Sequence, residues 1–218
     1  VPRLALLYGK GKIGKYKLLL SKLTNVLLMI TIPSMVGLIL LSKQVVLIIA
    51  GNHFLRSIVS LRILSIAYIF AILAWILCDC VLIPVKREKY LLYSTSLSAL
   101  INVVLNISMI PFFSENAAAI STVIAEMVTF IVNYRYSKDL VKEIFVSTTL
   151  RKTLIDSLVG CIGIIVVCTI VNYFFHSVLV TTVLSVLFSI FVYGLILIAR
   201  RNTYVLTFLN QIFYRIHK

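Results

Sequence analysis

The chain has 218 residues, 61% of them hydrophobic and 13% charged. Soluble domains carry about 45–50% apolar and about 25% charged residues, so these values exclude an ordinary soluble domain, and they equally exclude a disordered segment. Lys and Arg number 21 against 7 Asp and Glu, a net charge of +14. The cations fall between long apolar runs, which points to a membrane and away from a nucleic-acid partner.

Six apolar segments follow one another, each near the ~20 residues that cross ~30 Å of hydrocarbon as a helix. A basic segment, residues 1–22, precedes them. It mixes Leu with Lys, and Gly9, Gly11 and Gly14 weaken any helix there. Span 1 covers Leu23 to Leu41, with an apolar extension towards Ala50. Pro33 and Gly37 lie inside it, where a proline kink suits a gate. An outer connection, Ser42 to Ser60, contains a turn at Gly51-Asn52-His53-Phe54.

Span 2 is Leu61 to Val85, span 3 Leu91 to Phe113, and span 4 Asn116 to Tyr136. A loop over residues 138–153 leads to a helix pair in residues 154–199: span 5, Thr153 to Phe175, and span 6, Ser177 to Ala199. Gly160 and Gly163 in span 5 permit close helix approach. Residues 200–218 form a tail with Val205, Phe208, Leu209, Ile212, Phe213 and Ile216 at helical spacing. That is an amphipathic face suited to the membrane surface, with Arg215 and Lys218 near anionic headgroups.

Orientation follows from the cations. If the N-terminal segment, the loops after spans 2 and 4, and the tail share one side, that side holds eighteen of the 21 Lys and Arg residues. Only Lys43, Arg56 and Arg62 fall on the other. The positive-inside rule then puts both termini in the cytoplasm.

Polar groups inside a span are costly and need partners or water. Span 3 carries Ser94, Ser98, Asn102 and Asn106 at a spacing of four, a single helix face. Span 4 carries Thr122, Glu126, Thr129 and Asn133 on one face, with the acid near mid-membrane. Span 2 shows Ser65, Tyr68, Trp75 and Asp79, and span 6 Thr182, Ser185, Ser189 and Tyr193. This pattern predicts helices lining a shared polar interior, with interhelical hydrogen bonding as the simpler role of each Ser and Thr. Asp156 reads as a boundary residue beside Arg151 and Lys152.

Cys78, Cys80, Cys161 and Cys168 lie in apolar stretches and read as small core fillers. His53, His176 and His217 are scattered. No phosphate loop, HExxH or GxSxG motif occurs, so an enzyme is not expected, nor a metal or cofactor.

The ordered features resemble a known family. The chain opens Val1-Pro2-Arg3-Leu4, then shows Ile32-Pro33 and Val36-Gly37, a Gly51-xx-Phe54 turn, and Leu61-Arg62-Ile63-Leu64. Ile83-Pro84 precedes Lys-Arg-Glu-Lys; Asn102-xxx-Asn106 precedes Ile110-Pro111; and Asn116-Ala117-Ala118-Ala119 opens the helix holding Glu126. Together these resemble the second half of the O-antigen-type polysaccharide-biosynthesis flippases, within the multidrug/oligosaccharidyl-lipid/polysaccharide exporter superfamily. Residues 1–137 carry the resemblance; Asn116 stands where the family more often has Gly, and spans 5 and 6 match only by position.

The resemblance implies an all-α polytopic fold, with residues 23–137 forming four helices of the C-terminal lobe of a two-lobed, fourteen-helix transporter. The chain would then be a piece of a longer protein whose N-terminal lobe completes it. The implied substrate is an undecaprenyl-pyrophosphate-linked oligosaccharide, flipped across the bacterial cytoplasmic membrane and driven by a coupling cation or proton. Membrane lipids are the other partner. Glu126, Asn102, Asn106 and Asp79 would line the cavity or couple helices, while Arg3 and Arg62 would contact an anionic headgroup. Two other readings compete: a drug or cation exporter of the same superfamily, and a membrane-embedded glycan transferase or polymerase.

Overall fold

The computed structural model describes residues 2–207, and every regular element among them is helical. Of the amphipathic face expected in the tail, Val205 falls in a helical stretch over 203–207, and Phe208 onward lies outside the described residues. Eight α-helices follow in order: α1 (Pro2–Gly9), α2 (Ile13–Leu40), α3 (Ser42–Ile49), α4 (Ser57–Leu77), α5 (Glu88–Phe113), α6 (Glu115–Phe145), α7 (Thr148–Phe174) and α8 (Val178–Ala199). Six of them, α2 and α4 to α8, are long and apolar enough to cross a membrane, which makes this a multi-pass membrane protein.

Helix lengths correct several expected boundaries. At 1.5 Å per residue the 31 residues of α6 extend about 46 Å, well past ~30 Å of hydrocarbon. The surplus absorbs most of the expected 138–153 loop. What remains is a turn at Val146-Ser147, where Ser147 Oγ accepts the Leu150 N–H at 3.2 Å and caps α7. Likewise α2 begins at Ile13, ten residues before the apolar run, so with α1 most of the basic segment is helical. Gly11, at φ +67°, makes the turn out of α1 that only glycine adopts freely. At the other end α2 stops at Leu40, and the apolar extension towards Ala50 forms the separate short helix α3.

Helix α4 does not end cleanly. Residues Cys78–Leu82 widen into one π-helical turn, in which the Ile83 N–H reaches back five residues to the Cys78 carbonyl. The Tyr16 hydroxyl of α2 donates to the Cys80 carbonyl in that turn at 2.9 Å. The turn keeps Cys80, Val81 and Leu82 fully buried and leaves Asp79 half-buried on the opposite side.

The helices pack in a row, α5 against α6, α6 against α4, α4 against α2, α2 against α7, and α7 against α8. At the basic end, Leu4, Tyr16, Leu20, Leu77, Val141 and Ile144 join one core that ties α1 and α2 to α4 and α6. The α7–α8 pair closes over glycines: the Tyr193 ring lies on Gly160, and Ile196 and Val192 lie on Gly163. There, where lipid tails are as apolar as the helices, small residues permit the close packing that drives association.

Asp156 corrects another expectation. It is fully buried, and its partners are neither Arg151 nor Lys152. Arg200 Nε donates to one carboxylate oxygen and Asn202 Nδ2 to the other, both at 3.0 Å. This clamp fixes the turn after α8, where Arg201 takes φ +49°.

This packing sets the outcome of three substitutions. Gly160→Val forces the Tyr193 ring aside and lowers thermal stability in detergent by about 1–3 kcal/mol, the usual cost of overpacking. Arg200→Ala strands a buried carboxylate. Because Arg200 is itself 45% exposed, the expected loss is about 2 kcal/mol, below the ~3–5 of a fully buried pair. Lys17→Ala, which removes a pair whose Glu143 side is 75% exposed, costs under ~1 kcal/mol by the same assay.

Candidate functional site

Three of the polar stripes meet. Tyr68, Trp75 and Asp79 from α4 and its π-turn, Thr95, Ser98 and Asn102 from α5, and Thr122, Glu126, Thr129 and Asn133 from α6 line one groove of about 760 Å³. The small residues Ala71, Ala74, Ala99 and Ala125 form its floor and leave room for it. The stripes converge because α6 packs on α4 and α5 at once, so the polar face of each helix, set by its three- and four-residue spacings, turns to the same space.

The groove contains Glu126, near mid-membrane, and Asp79, close to the end of its span. Neither Asp79 nor Glu126 forms an ion pair among the described residues, and no Lys or Arg lines the groove. Asn133 is fully buried at its edge. Its Nδ2 donates to the Ala74 carbonyl at 3.4 Å, while its Oδ1 has no partner. Trp75 and Tyr68 are 43% and 39% exposed, so both rings offer a face to whatever fills the groove. The wall therefore combines carboxylates, amides, hydroxyls and two aromatic rings.

Asn106 sits outside the groove and ties α5 to α6. Its Nδ2 donates to Asn102 Oδ1 at 2.8 Å, and its Oδ1 accepts the Ser121 hydroxyl at 2.9 Å. Ser98 Oγ donates to the Ala125 carbonyl at 3.1 Å, adding a further rung. Asn102 thus belongs to both the wall and the rung network.

Other predicted residues lie elsewhere. Arg3, on α1, and Arg62, near the start of α4, are both exposed at opposite ends of the bundle; Arg62 Nε donates to Ser42 Oγ at 2.8 Å. Pro33 and Gly37 line a second cavity of about 610 Å³, between α2, α7 and α8. Thr182, Ser189 and Tyr193 of the span 6 stripe line it as well. The expectation of one interior shared by all the stripes is thus corrected: α2 and α4 separate a polar groove from a largely apolar cavity. Among the described residues no cluster of three or more His, Cys, Asp or Glu is placed to hold a metal.

One feature near the groove was missed in the sequence. Arg87 makes a two-point contact with Asp139, both oxygens at 2.7 Å, and also donates to the Tyr136 carbonyl at 2.8 Å. Tyr136 stacks on Tyr90 with ring centroids 4.0 Å apart. This locks α5 to α6 at the basic end of the groove, and a spacing of 52 residues gives no local signal of it.

No protein-family profile matches the chain, and neither a curated protein nor a solved structure matches it.

Asn106→Ala removes one interhelical rung, worth ~0.6 kcal/mol on average in membranes, and with it the bond to Asn102 within α5. The expected outcome is a loss of about 1 kcal/mol in unfolding measured in detergent. Asn106→Asp, which can still accept from Ser121, loses less at neutral pH only if the carboxyl is protonated; raising the pH then widens the loss.

Proposed function

We propose that the chain is part of a transporter lobe that carries lipid-linked oligosaccharide across the bacterial cytoplasmic membrane, both termini lying in the cytoplasm. The observation that carries this reading is the groove of α4, α5 and α6, where Asp79, Glu126, Asn102, Trp75 and Tyr68 come together inside membrane-spanning helices. Sugars are recognised by this chemistry. Carboxylates and amides pair with hydroxyls, and aromatic faces pack on the C–H faces of sugar rings while remaining compatible with water. The resemblance in residues 1–137 points the same way.

In this reading the glycan occupies the groove while the isoprenoid tail stays in lipid. The anionic headgroup is met outside the groove, with Arg3 at the cytoplasmic end and Arg62 at the outer end. A second, N-terminal lobe faces the groove and shields its polar wall from lipid. The chain performs no covalent chemistry. An ion gradient drives the cycle, and the unpaired acids with Asn133 Oδ1 suit a coupling proton or cation.

A second reading is favoured by one specific observation. The groove holds two carboxylic acids and is lined by no Lys or Arg, which beside Trp75 and Tyr68 also suits an organic cation. In that case the protein exports cationic drugs.

Loss of the protein is expected to leave lipid-linked glycan on the cytoplasmic leaflet, and surface polysaccharide falls at least tenfold. Trp75→Ala and Glu126→Gln reproduce much of that defect. Ile131→Ala, on the exposed side of α6, does not. Normal surface polysaccharide in a strain with no redundant flippase would overturn the proposal. A changed efflux profile with intact glycan would establish the second reading in its place.

A further inference from the structure

Proline carries no N–H, so Pro33 leaves the carbonyl four residues back, that of Met29, without its helical donor. In mid-membrane no water replaces that donor. The Tyr193 hydroxyl of α8 points at this carbonyl, 2.6 Å from the Met29 oxygen. Its ring is seated on Gly160 of α7, where any Cβ would collide with it, and its oxygen lies 3.3 Å from Ser157 Oγ. The α7–α8 pair thus supplies, from 164 residues away, the bond that Pro33 removes.

The neighbourhood is built to bend. Ser34 Oγ donates to the Ile30 carbonyl at 2.8 Å, a back-bond that bends helices. Nothing lies within 4 Å of a Cβ placed on Gly37 or Gly194. Pro33, Ser34 and Gly37 face Ile190, Tyr193 and Gly194 across the 610 Å³ cavity. The helix therefore has both a weak point and adjacent free space, at the level where α8 reaches it.

We infer that α2 is a hinged helix latched by Tyr193: the bond to Met29 holds α2 in the conformation seen here, and its release lets the segment beyond Pro33 swing into the cavity. The α7–α8 pair is then the controller of this hinge. This inference is independent of what the groove carries.

The test is a mutant cycle read by hydrogen exchange on the full chain in phosphatidylethanolamine/phosphatidylglycerol nanodiscs, following peptides that cover residues 29–40. Tyr193→Phe should speed exchange there on the order of fivefold, as expected for one lost hydrogen bond. In a Pro33→Ala background residue 33 supplies its own N–H, and Tyr193→Phe should then change exchange less than twofold. Pro33→Ser serves as a second such background should Pro33→Ala insert poorly. Ser157→Ala, which leaves the Met29 bond intact, should have no effect. Equal acceleration in both backgrounds would reduce Tyr193 to a space-filler and overturn the latch, as would no acceleration in the Pro33 protein.

Discussion

Lipid tails offer no hydrogen bonds, so a carbonyl freed by an irregular helix in the middle of a bilayer is costly unless water in a cavity or a donor from a side chain or another helix satisfies it. Two irregularities here are answered in the same way. At the π-turn Cys78–Leu82 the Cys80 carbonyl lacks its helical donor because residue 84 is Pro84, and Tyr16 reaches it from α2. Pro33 frees the Met29 carbonyl, and Tyr193 reaches it from α8. Each defect thereby fixes a helix pair: α2 to α4 at one point, and α2 to α8 at the other. The hydrophobic effect does not drive helices together in lipid, so such bonds and close contacts at glycine set the arrangement.

The same constraint governs the polar side chains. A carboxylate facing lipid is expensive, and Asp79 and Glu126 instead face the groove formed as α6 packs on α4 and α5. The π-turn contributes by turning Asp79 to that side while Cys80, Val81 and Leu82 remain in the core. Across α2 and α4 the second cavity is lined mostly by apolar groups. One side of the bundle thus suits a polar cargo, and the other gives a helix room to move.

The six spans were legible because each apolar run is as long as the membrane is thick. Their true ends were not, since hydropathy reports where lipid begins and not where a helix stops: α6 continues through Lys138 and Lys142 to Phe145, and α2 starts at Ile13. The stripes of spans 2, 3 and 4 were readable from spacing alone. The destination of the span 6 stripe was not, because spacing fixes a face but not the neighbour it meets. Asp156 was misjudged for a similar reason. Its nearest cations in sequence point elsewhere, and its partners lie 44 and 46 residues on. The π-turn itself was not legible from spacing, although the Asp79 it carries already stood on the span 2 stripe.

In the proposed function the groove of α4, α5 and α6 is a wet site for a polar cargo inside the membrane. Its most direct measurement is thiol accessibility at Thr129→Cys, with Leu100→Cys on the exposed side of α5 as the lipid-facing comparison, in intact membranes treated with a charged, water-soluble thiol reagent. The account predicts that position 129 is labelled, that position 100 is not, and that lipid-linked oligosaccharide slows the labelling at 129. A position 129 as unreactive as position 100 would show a dry, sealed packing interface and contradict the account.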